Sequence, residues 1–510
     1  MSNNEFGDFQ TPVELVREIL TLLSRDGFPW SRILEPTCGQ GSFLQGLVEL
    51  DRPPREVKAL EIQPDYVEQA RQIVVPPDVE IDVRQADFFQ LDLSSERWKS
   101  DGPLLVIGNP PWVTNAALGS LGSSNLPEKT NFKQLRGLDA LTGKSNFDIA
   151  EYIWLKLMSD LRHESPTIGL LCKTSVARNV LKFAQAHGLP VRRSAMYRID
   201  AKRWFGAATD ACFFLVDMGS GPSRYEAEVH DSLQNTQGST RIGFVNGLLV
   251  ADMDAYSEVE FLEARTAQME WRQGIKHDAA PVMELTLDEI GWINQAGEAV
   301  DVEDDFVFPL IKAGDVRLTD ERPRRAVIVP HRGLGESMEH LPRTAPRLWN
   351  YLQLHREVFD RRKSSIYRGK QPFSIFGVGP YSFAPYKVIV SGLHKTPGFI
   401  VVGPRDGKPF VCDDTCYMLP FHSAPEAACV ATALNHEIAR QFLSSIVFWD
   451  AKRPITKALL KRISLDALVE TIPEKELQAG LLEILSSLEP QSEDDRVAAL
   501  AIAPQLSFGL

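Results

Sequence analysis

No stretch of the 510 residues approaches 18 uninterrupted apolar positions, and the opening Met1-Ser2-Asn3-Asn4-Glu5 has neither a basic region nor an apolar core. Neither a membrane span nor a secretory leader is expected, and a cytoplasmic location fits. Cysteine is scarce. Cys38, Cys172, Cys212, Cys412, Cys416 and Cys429 show no pairing rhythm, so reduced thiols are expected rather than a disulfide framework. Cys412 and Cys416 lack the second Cys or His pair of a zinc site, and no metal is expected. The phosphate-cradling patterns Gly-x-Gly-x-x-Gly and Gly-Lys-Ser/Thr are missing where a strand meets a helix near residue 40. Internal repeats are missing too. The net charge of -13 argues against non-specific coating of nucleic acid, although it is an average that leaves room for one basic face.

What is present is ordinary in bulk: 44% hydrophobic and 24% charged residues suit a globular chain, and the length exceeds one compact core, so two large domains are expected. The most informative stretch is Leu104-Leu105-Val106-Ile107-Gly108-Asn109-Pro110-Pro111-Trp112. Four apolar residues running into a glycine predict a buried parallel strand that stops abruptly. Pro110 and Pro111 lack the amide hydrogen and have fixed φ, so the strand ends in a stiff loop. That loop presents one carboxamide, free carbonyls and one flat ring, a set suited to a planar amino group on a ring.

The preceding chain supplies a frame. Gln10-Thr11-Pro12 leads into Val13, Leu15, Val16, Ile19, Leu20 and Leu23, helical spacing with Thr11 as N-cap and Pro12 at the first helical position. Arg32 to Leu44 reads as a short strand, the carboxylate Glu35, a glycine turn, and a helix from about Ser42. Glu35 would repel a pyrophosphate and suits a ligand carrying positive charge. Val57 to Leu60 is a second strand ending at Glu61-Ile62, where a ribose-binding acid belongs. Val79 to Val83 leads to Asp87-Phe88-Phe89. Acids at matching ends of consecutive strands imply a parallel doubly wound sheet with one crevice across its top. Asp51 with Glu56-Val57-Lys58 mimics a magnesium-nuclease pattern, but falls inside this sheet and reads as coincidence.

Taken together, Glu-Pro-Thr-Cys-Gly-x-Gly-x-Phe, Glu61, Asp87-Phe88 and Asn-Pro-Pro-Trp, behind a Gln-Thr-Pro helix, resemble the S-adenosylmethionine-dependent amino-methyltransferases, in particular the gamma class of DNA adenine-N6 methyltransferases. The resemblance implies a Rossmann-like α/β methyltransferase sheet followed by an α+β target-recognition domain. It also implies S-adenosylmethionine as cofactor and double-stranded DNA as partner. By motif, Thr11 and the residues around it would meet the methionine part of the cofactor, with Glu35 and the turn through Thr37, Gly39 and Gly41 beneath it. Glu61 would hold the ribose hydroxyls. Ile62 and Phe88 would sandwich the adenine, and Asp87 would accept from its amino group. Asn109, Pro110, Pro111 and Trp112 would form the catalytic motif, with Asn109 also among the cofactor's contacts and Trp112 where Tyr or Phe is usual. Trp204 to Val216 resembles the last signature block of that domain, which makes Phe205 a second ring for an extruded base or, equally, a core aromatic. The resemblance implies restriction-modification or phage-defence work, with a cognate restriction or defence subunit as a further partner.

Thr114 to Asn146 has no sustained period and is expected to be a mobile loop. An apolar helix over Phe147 to Met158, a strand over Thr167 to Cys172 and a helix over Val176 to Ala186 follow. The catalytic domain is expected to span 1–228, the recognition domain 229–470, and a helical tail 471–510. Between Glu321 and Lys370, twelve basic residues stand against five acidic ones, a local surplus of +7 inside an acidic chain. Arg361, Arg362, Lys363, Arg368 and Lys370 are the expected phosphate contacts. Two rival readings are methylation of RNA or of protein glutamine, and a non-catalytic DNA-binding subunit of a defence complex.

Overall fold

The computed structural model describes residues 9–25, 27–113, 148–235, 240–266, 269–289, 291–317 and 324–488. The segment expected as a mobile loop, 114–146, lies outside them. The chain divides into two units, Met1–Asp254 and Ala255–Leu510.

The first unit is a ten-stranded sheet. Its strands are β1 (Arg32–Glu35), β2 (Glu56–Glu61), β3 (Glu80–Gln85), β4 (Leu104–Gly108), β5 (Thr167–Lys173), β6 (Val191–Ile199), β7 (Ala211–Met218), β8 (Ala227–His230), β9 (Thr240–Val245) and β10 (Leu248–Val250). Their spatial order is β3-β2-β1-β4-β5-β7-β6-β8-β9-β10. Strands β1 to β5 are mutually parallel, and β7 enters antiparallel between β5 and β6. Every residue of β4 is buried, as expected for a strand covered on both faces, and its continuous apolar run made it legible. The order reverses between β1 and β4, so a crevice opens beyond the carboxyl ends of those two strands.

The helices that fix this crevice are α1 (Val13–Leu23), α2 (Ser42–Val48), α3 (Pro64–Arg71), α4 (Ile149–Asp160), α5 (Thr174–Ala186) and α6 (Ala201–Phe205). Helix α1 buries Leu15, Val16, Ile19, Leu20, Leu22 and Leu23. It lies so close to α2 that a Cβ on Gly46 would stand 2.6 Å from Val16 Cγ1. This packing brings the segment before α1 to the glycine turn. Pro12, not Thr11, is the N-cap residue of α1, and no side chain caps the helix.

The sheet does not stop at the expected boundary of 228. β8 pairs with β6, and β9 and β10 continue the edge, so the first unit runs to Asp254. These strands are short and partly exposed, which leaves no long apolar run for a sequence pattern to register. The second unit is α+β. It contains a four-stranded sheet, β11 (Arg272–Gln273), β19 (Cys416–Phe421), β16 (Tyr386–Ser391) and β17 (Phe399–Val402), in that order. A five-stranded sheet orders β13 (Gly291–Asn294), β12 (Glu284–Asp288), β15 (Arg325–Ile328), β14 (Val307–Ile311) and β18 (Val411–Cys412). The expected tail is not separate over its described part. Helix Glu474–Ser487 buries Leu481 and Leu485 against Ala424, Ala428 and Cys429, and a Cβ on its Gly480 would meet Thr432 Cγ2 at 2.5 Å.

Candidate active site

The end of β1 carries Glu35, only 1% exposed, whose Oε2 has no hydrogen-bond partner among the described residues. Burial, and then the charge of Glu61, push its pKa well above the usual carboxylate range. Thr37 Oγ1 is likewise buried and unpartnered. Gly39 and Gly41 have φ of +52° and +90°, and a Cβ on Gly41 would stand 2.5 Å from Ile73 Cδ1, so the turn needs glycine for both its backbone and its packing. At the end of β2, Glu61 accepts from the Gly39, Ile62 and Gln63 amides, each at 2.9 Å. One carboxylate thus ties the glycine turn to the neighbouring strand. Ile62 is partly exposed and Phe88 is buried, while Asp87 accepts from Phe89 N at 2.9 Å and shapes the short turn after β3.

Strand β4 delivers its tip against this cradle: a Cβ on Gly108 would lie 3.6 Å from Glu35 Cγ. The next residue, Asn109, donates from Nδ2 to the Phe9 carbonyl at 3.1 Å, and its Oδ1 is buried with no partner among the described residues. The Phe9 carbonyl therefore fixes which way the carboxamide faces. Trp112 is 6% exposed and donates from Nε1 to the Leu171 carbonyl at 3.3 Å. Its ring meets Phe205 edge-on, with centroids 5.1 Å apart, and Phe9 at 5.8 Å, while Phe9 and Phe205 are 5.7 Å apart. Pro110 is buried and Pro111 partly so.

The structure brings together Glu35, Thr37, Gly39, Gly41 and Glu61 on one side and Asn109, Trp112 and Phe205 on the other. Thr11 is buried between the two residues that join these groups and the start of α1. Those two are Phe9, which escaped the sequence reading, and Gln10, which that reading named only as part of the Gln-Thr-Pro motif. Gln10 Oε1 accepts from Gln40 N at 3.2 Å while Phe9 holds Asn109. The aromatic residue just before Gln-Thr-Pro was the available signal. The flat face expected of Trp112 is also less open than a lone ring would be, because two rings flank it.

No family model matches the chain. It is 39% identical over 474 residues to the Type II methyltransferase M.NspV of Nostoc sp. (strain ATCC 29411 / PCC 7524), spanning 92% of this chain and 98% of that one. The chain belongs to the Type II methyltransferases. Its fold is similar to that of the Type IIL restriction-modification enzyme MmeI, solved in complex with DNA, with a TM-score of 0.55 at 11% identity over 96% of this chain and 75% of that one.

One expectation changes in this Type II methyltransferase, and the nuclease-like residues have structural partners. The nuclease-like pair lies at the start of β2, the opposite end from Glu61. Glu56 Oε2 accepts from the Lys99 and Ser100 amides at 2.8 Å, and Lys58 pairs with Glu96 at 2.7 Å, so both are internal struts. Arg362 is not a free cation either. Its guanidinium donates to the carbonyls of Phe359, His277, Ser374 and Pro372 and stacks 3.7 Å from the Tyr367 ring centroid. Lys363, Arg368 and Lys370 are exposed, and Arg361 is exposed in an ion pair with Glu357 at 2.9 Å.

Proposed function

We propose that this Type II methyltransferase transfers a methyl group from S-adenosylmethionine to the exocyclic N6 of adenine in duplex DNA, with the base rotated out of the helix. The observation that carries the reading is the unpartnered, buried Oδ1 of Asn109 beside Trp112, at the strand tip that adjoins Glu35. A buried carbonyl oxygen without a donor is costly unless a ligand supplies one. An aromatic amine is such a ligand.

The residues of the crevice fit the cofactor. Glu35 suits its positive charge, Glu61 its ribose hydroxyls, Asp87 its adenine amino group, and Ile62 and Phe88 its ring faces. When bound, S-adenosylmethionine supplies an electrophilic methyl group on a sulfonium sulfur. Asn109 Oδ1 and the Pro110 carbonyl would accept the two amino hydrogens, drawing the nitrogen lone pair out of conjugation with the ring. Trp112 and Phe205 would hold the base, and a base entering against Trp112 parts it from a neighbouring ring. Extrusion from the duplex costs roughly a few kcal/mol, offset by this stacking and edge bonding. No strong base is needed, because the amine becomes acidic only after transfer, and most of the acceleration comes from holding two reactants in line. In the second unit, the exposed Arg361, Lys363, Arg368 and Lys370 would contact phosphate.

Methylome sequencing of cells expressing the chain tests this directly. N6-methyladenine at one recurring sequence is expected, and its disappearance with Asn109→Ala while purified N109A still binds S-adenosylmethionine. Methylation of cytosine only, or of RNA or protein only, would overturn the reading.

A further inference from the structure

Trp112 is held by the strand next to its own. Strand β5 runs three residues beyond Leu170, the last residue it pairs with β4, and ends at Lys173. Lys173 Nζ donates to the Trp112 carbonyl at 3.0 Å and to Asp148 Oδ2 at 2.7 Å. Two residues earlier on the same strand, the Leu171 carbonyl accepts the indole N–H. One strand end therefore fixes both the backbone and the ring of Trp112.

Asp148 in turn caps α4, accepting from Ala150 N at 3.0 Å, while Ile149 N donates to the Val113 carbonyl at 3.0 Å. The Lys173 ammonium thus sits where the chain leaves the Asn-Pro-Pro-Trp loop and where it returns at α4. Burial pushes the Asp148 carboxyl up, and Lys173 is the cation that opposes this. Charge-assisted bonds of this kind are stronger than neutral ones, and a partly buried carboxylate that loses its cation is left uncompensated.

We propose that Lys173 is a positioning residue for methyl transfer, acting through the Trp112 backbone on the site that holds the target amine. This rests on the reading of Asn109 and Trp112 given above. The two prolines make the coupling stiff: with φ fixed at Pro110 and Pro111, few soft torsions separate Asn109 from Trp112. A carbonyl clamped at Trp112 is felt at the Asn109 carboxamide, and displacements of about 1 Å at a reacting centre cost on the order of a hundredfold in rate. The bonds of the Lys173 ammonium go to Trp112 and Asp148, and not to the glycine turn or Glu61, so cofactor affinity is expected to be unaffected by its loss.

The test compares the full-length wild type, Lys173→Met and Lys173→Arg, measuring transfer of tritiated methyl to unmethylated genomic DNA together with equilibrium binding of S-adenosylmethionine. Lys173→Met is expected to lower kcat by about tenfold to a hundredfold with cofactor affinity unchanged. Lys173→Arg restores part of the loss, because a guanidinium can donate to both the Trp112 carbonyl and Asp148. A wild-type kcat for Lys173→Met would overturn the proposal. So would equal loss of kcat and cofactor affinity in both variants, which would make Lys173 a residue of folding alone. Wild-type transfer to cytosine instead of adenine would overturn the base assignment above and leave the comparison of variants intact.

Discussion

Glu35 combines near-complete burial, an unpartnered Oε2 and a second carboxyl, Glu61, whose charge adds to the rise in its pKa. A carboxyl in that position holds its proton at pH values where an exposed one is ionised, unless a cation arrives to compensate. The sign for the free protein follows. With a folded pKa above the unfolded 4.5, Glu35 favours folding at low pH, and that contribution is lost as pH rises from about 4.5 through the raised value. For the proposed ligand the sign reverses, since a sulfonium favours the ionised form. Binding of S-adenosylmethionine is expected to release a proton and to tighten as pH rises through the Glu35 pKa. S-adenosylhomocysteine, which lacks the sulfonium charge, is expected to release less. Titration calorimetry in buffers of different ionisation enthalpy measures this, and Glu35→Gln should erase the difference between the two ligands. Equal proton release by both ligands, persisting in E35Q, would remove Glu35 from the cofactor's charge balance.

The loop that follows the helix Arg356–Asp360 shows why charge count and charge role differ. Counted along the chain, Arg362 is one more cation beside Arg361 and Lys363. Folded, it is the spool around which residues 363–374 are wound, with four carbonyls and the Tyr367 ring on its guanidinium. Two outcomes are expected to separate. Replacing Lys363, Arg368 and Lys370 by Gln should leave the melting temperature near wild type and flatten the dependence of log K for DNA on log salt by roughly one for each phosphate no longer neutralised. Arg362→Met should instead destabilise the protein by roughly 2 kcal/mol or more, because four carbonyls, most of them partly buried, lose their donor together. Similar behaviour of the two variants in melting and salt titration would contradict the division. Elements buried on both faces, such as β1, β4 and β5, were legible because each holds a run of apolar residues that ends on a charged residue or a glycine. The pairings that complete the site were not. Lys173 meets Trp112 across 61 residues and Phe9 meets Asn109 across 100, and no local periodicity records such a pairing. Arg362 misled for the same reason, since its partners lie up to 85 residues away.

Across the whole chain, the buried titratable groups make stability depend on alkaline pH in two opposing ways. Lys387 is fully buried in β16, with its ammonium donating to the Ala384 carbonyl, and burial lowers its pKa to about 8. The unfolded chain holds that proton up to about 10.5, so the charge costs most below pH 8, and the cost fades as pH rises from about 8 to 10.5. The thiols act the other way. Burial raises Cys38, Cys172, Cys412, Cys416 and Cys429 above 9.0, so above pH 9 the unfolded chain loses protons that the folded chain keeps, and folding weakens. The five thiols outnumber the one lysine, so net stability should fall above pH 9 and mask the lysine in the wild type alone. A difference measurement removes the mask. Lys387→Met keeps every thiol and removes the lysine together with its pull on the Cys412 thiol, so below pH 8, where that thiol is protonated in both states, it should be more stable than wild type by up to roughly 3 kcal/mol, given a pKa lowered from 10.5 to about 8. That advantage should shrink steadily and vanish near pH 10.5. Denaturant unfolding of both proteins at intervals from pH 7 to pH 10.5 reads it, and a pH-independent difference would mean that the Lys387 ammonium is compensated in the folded protein.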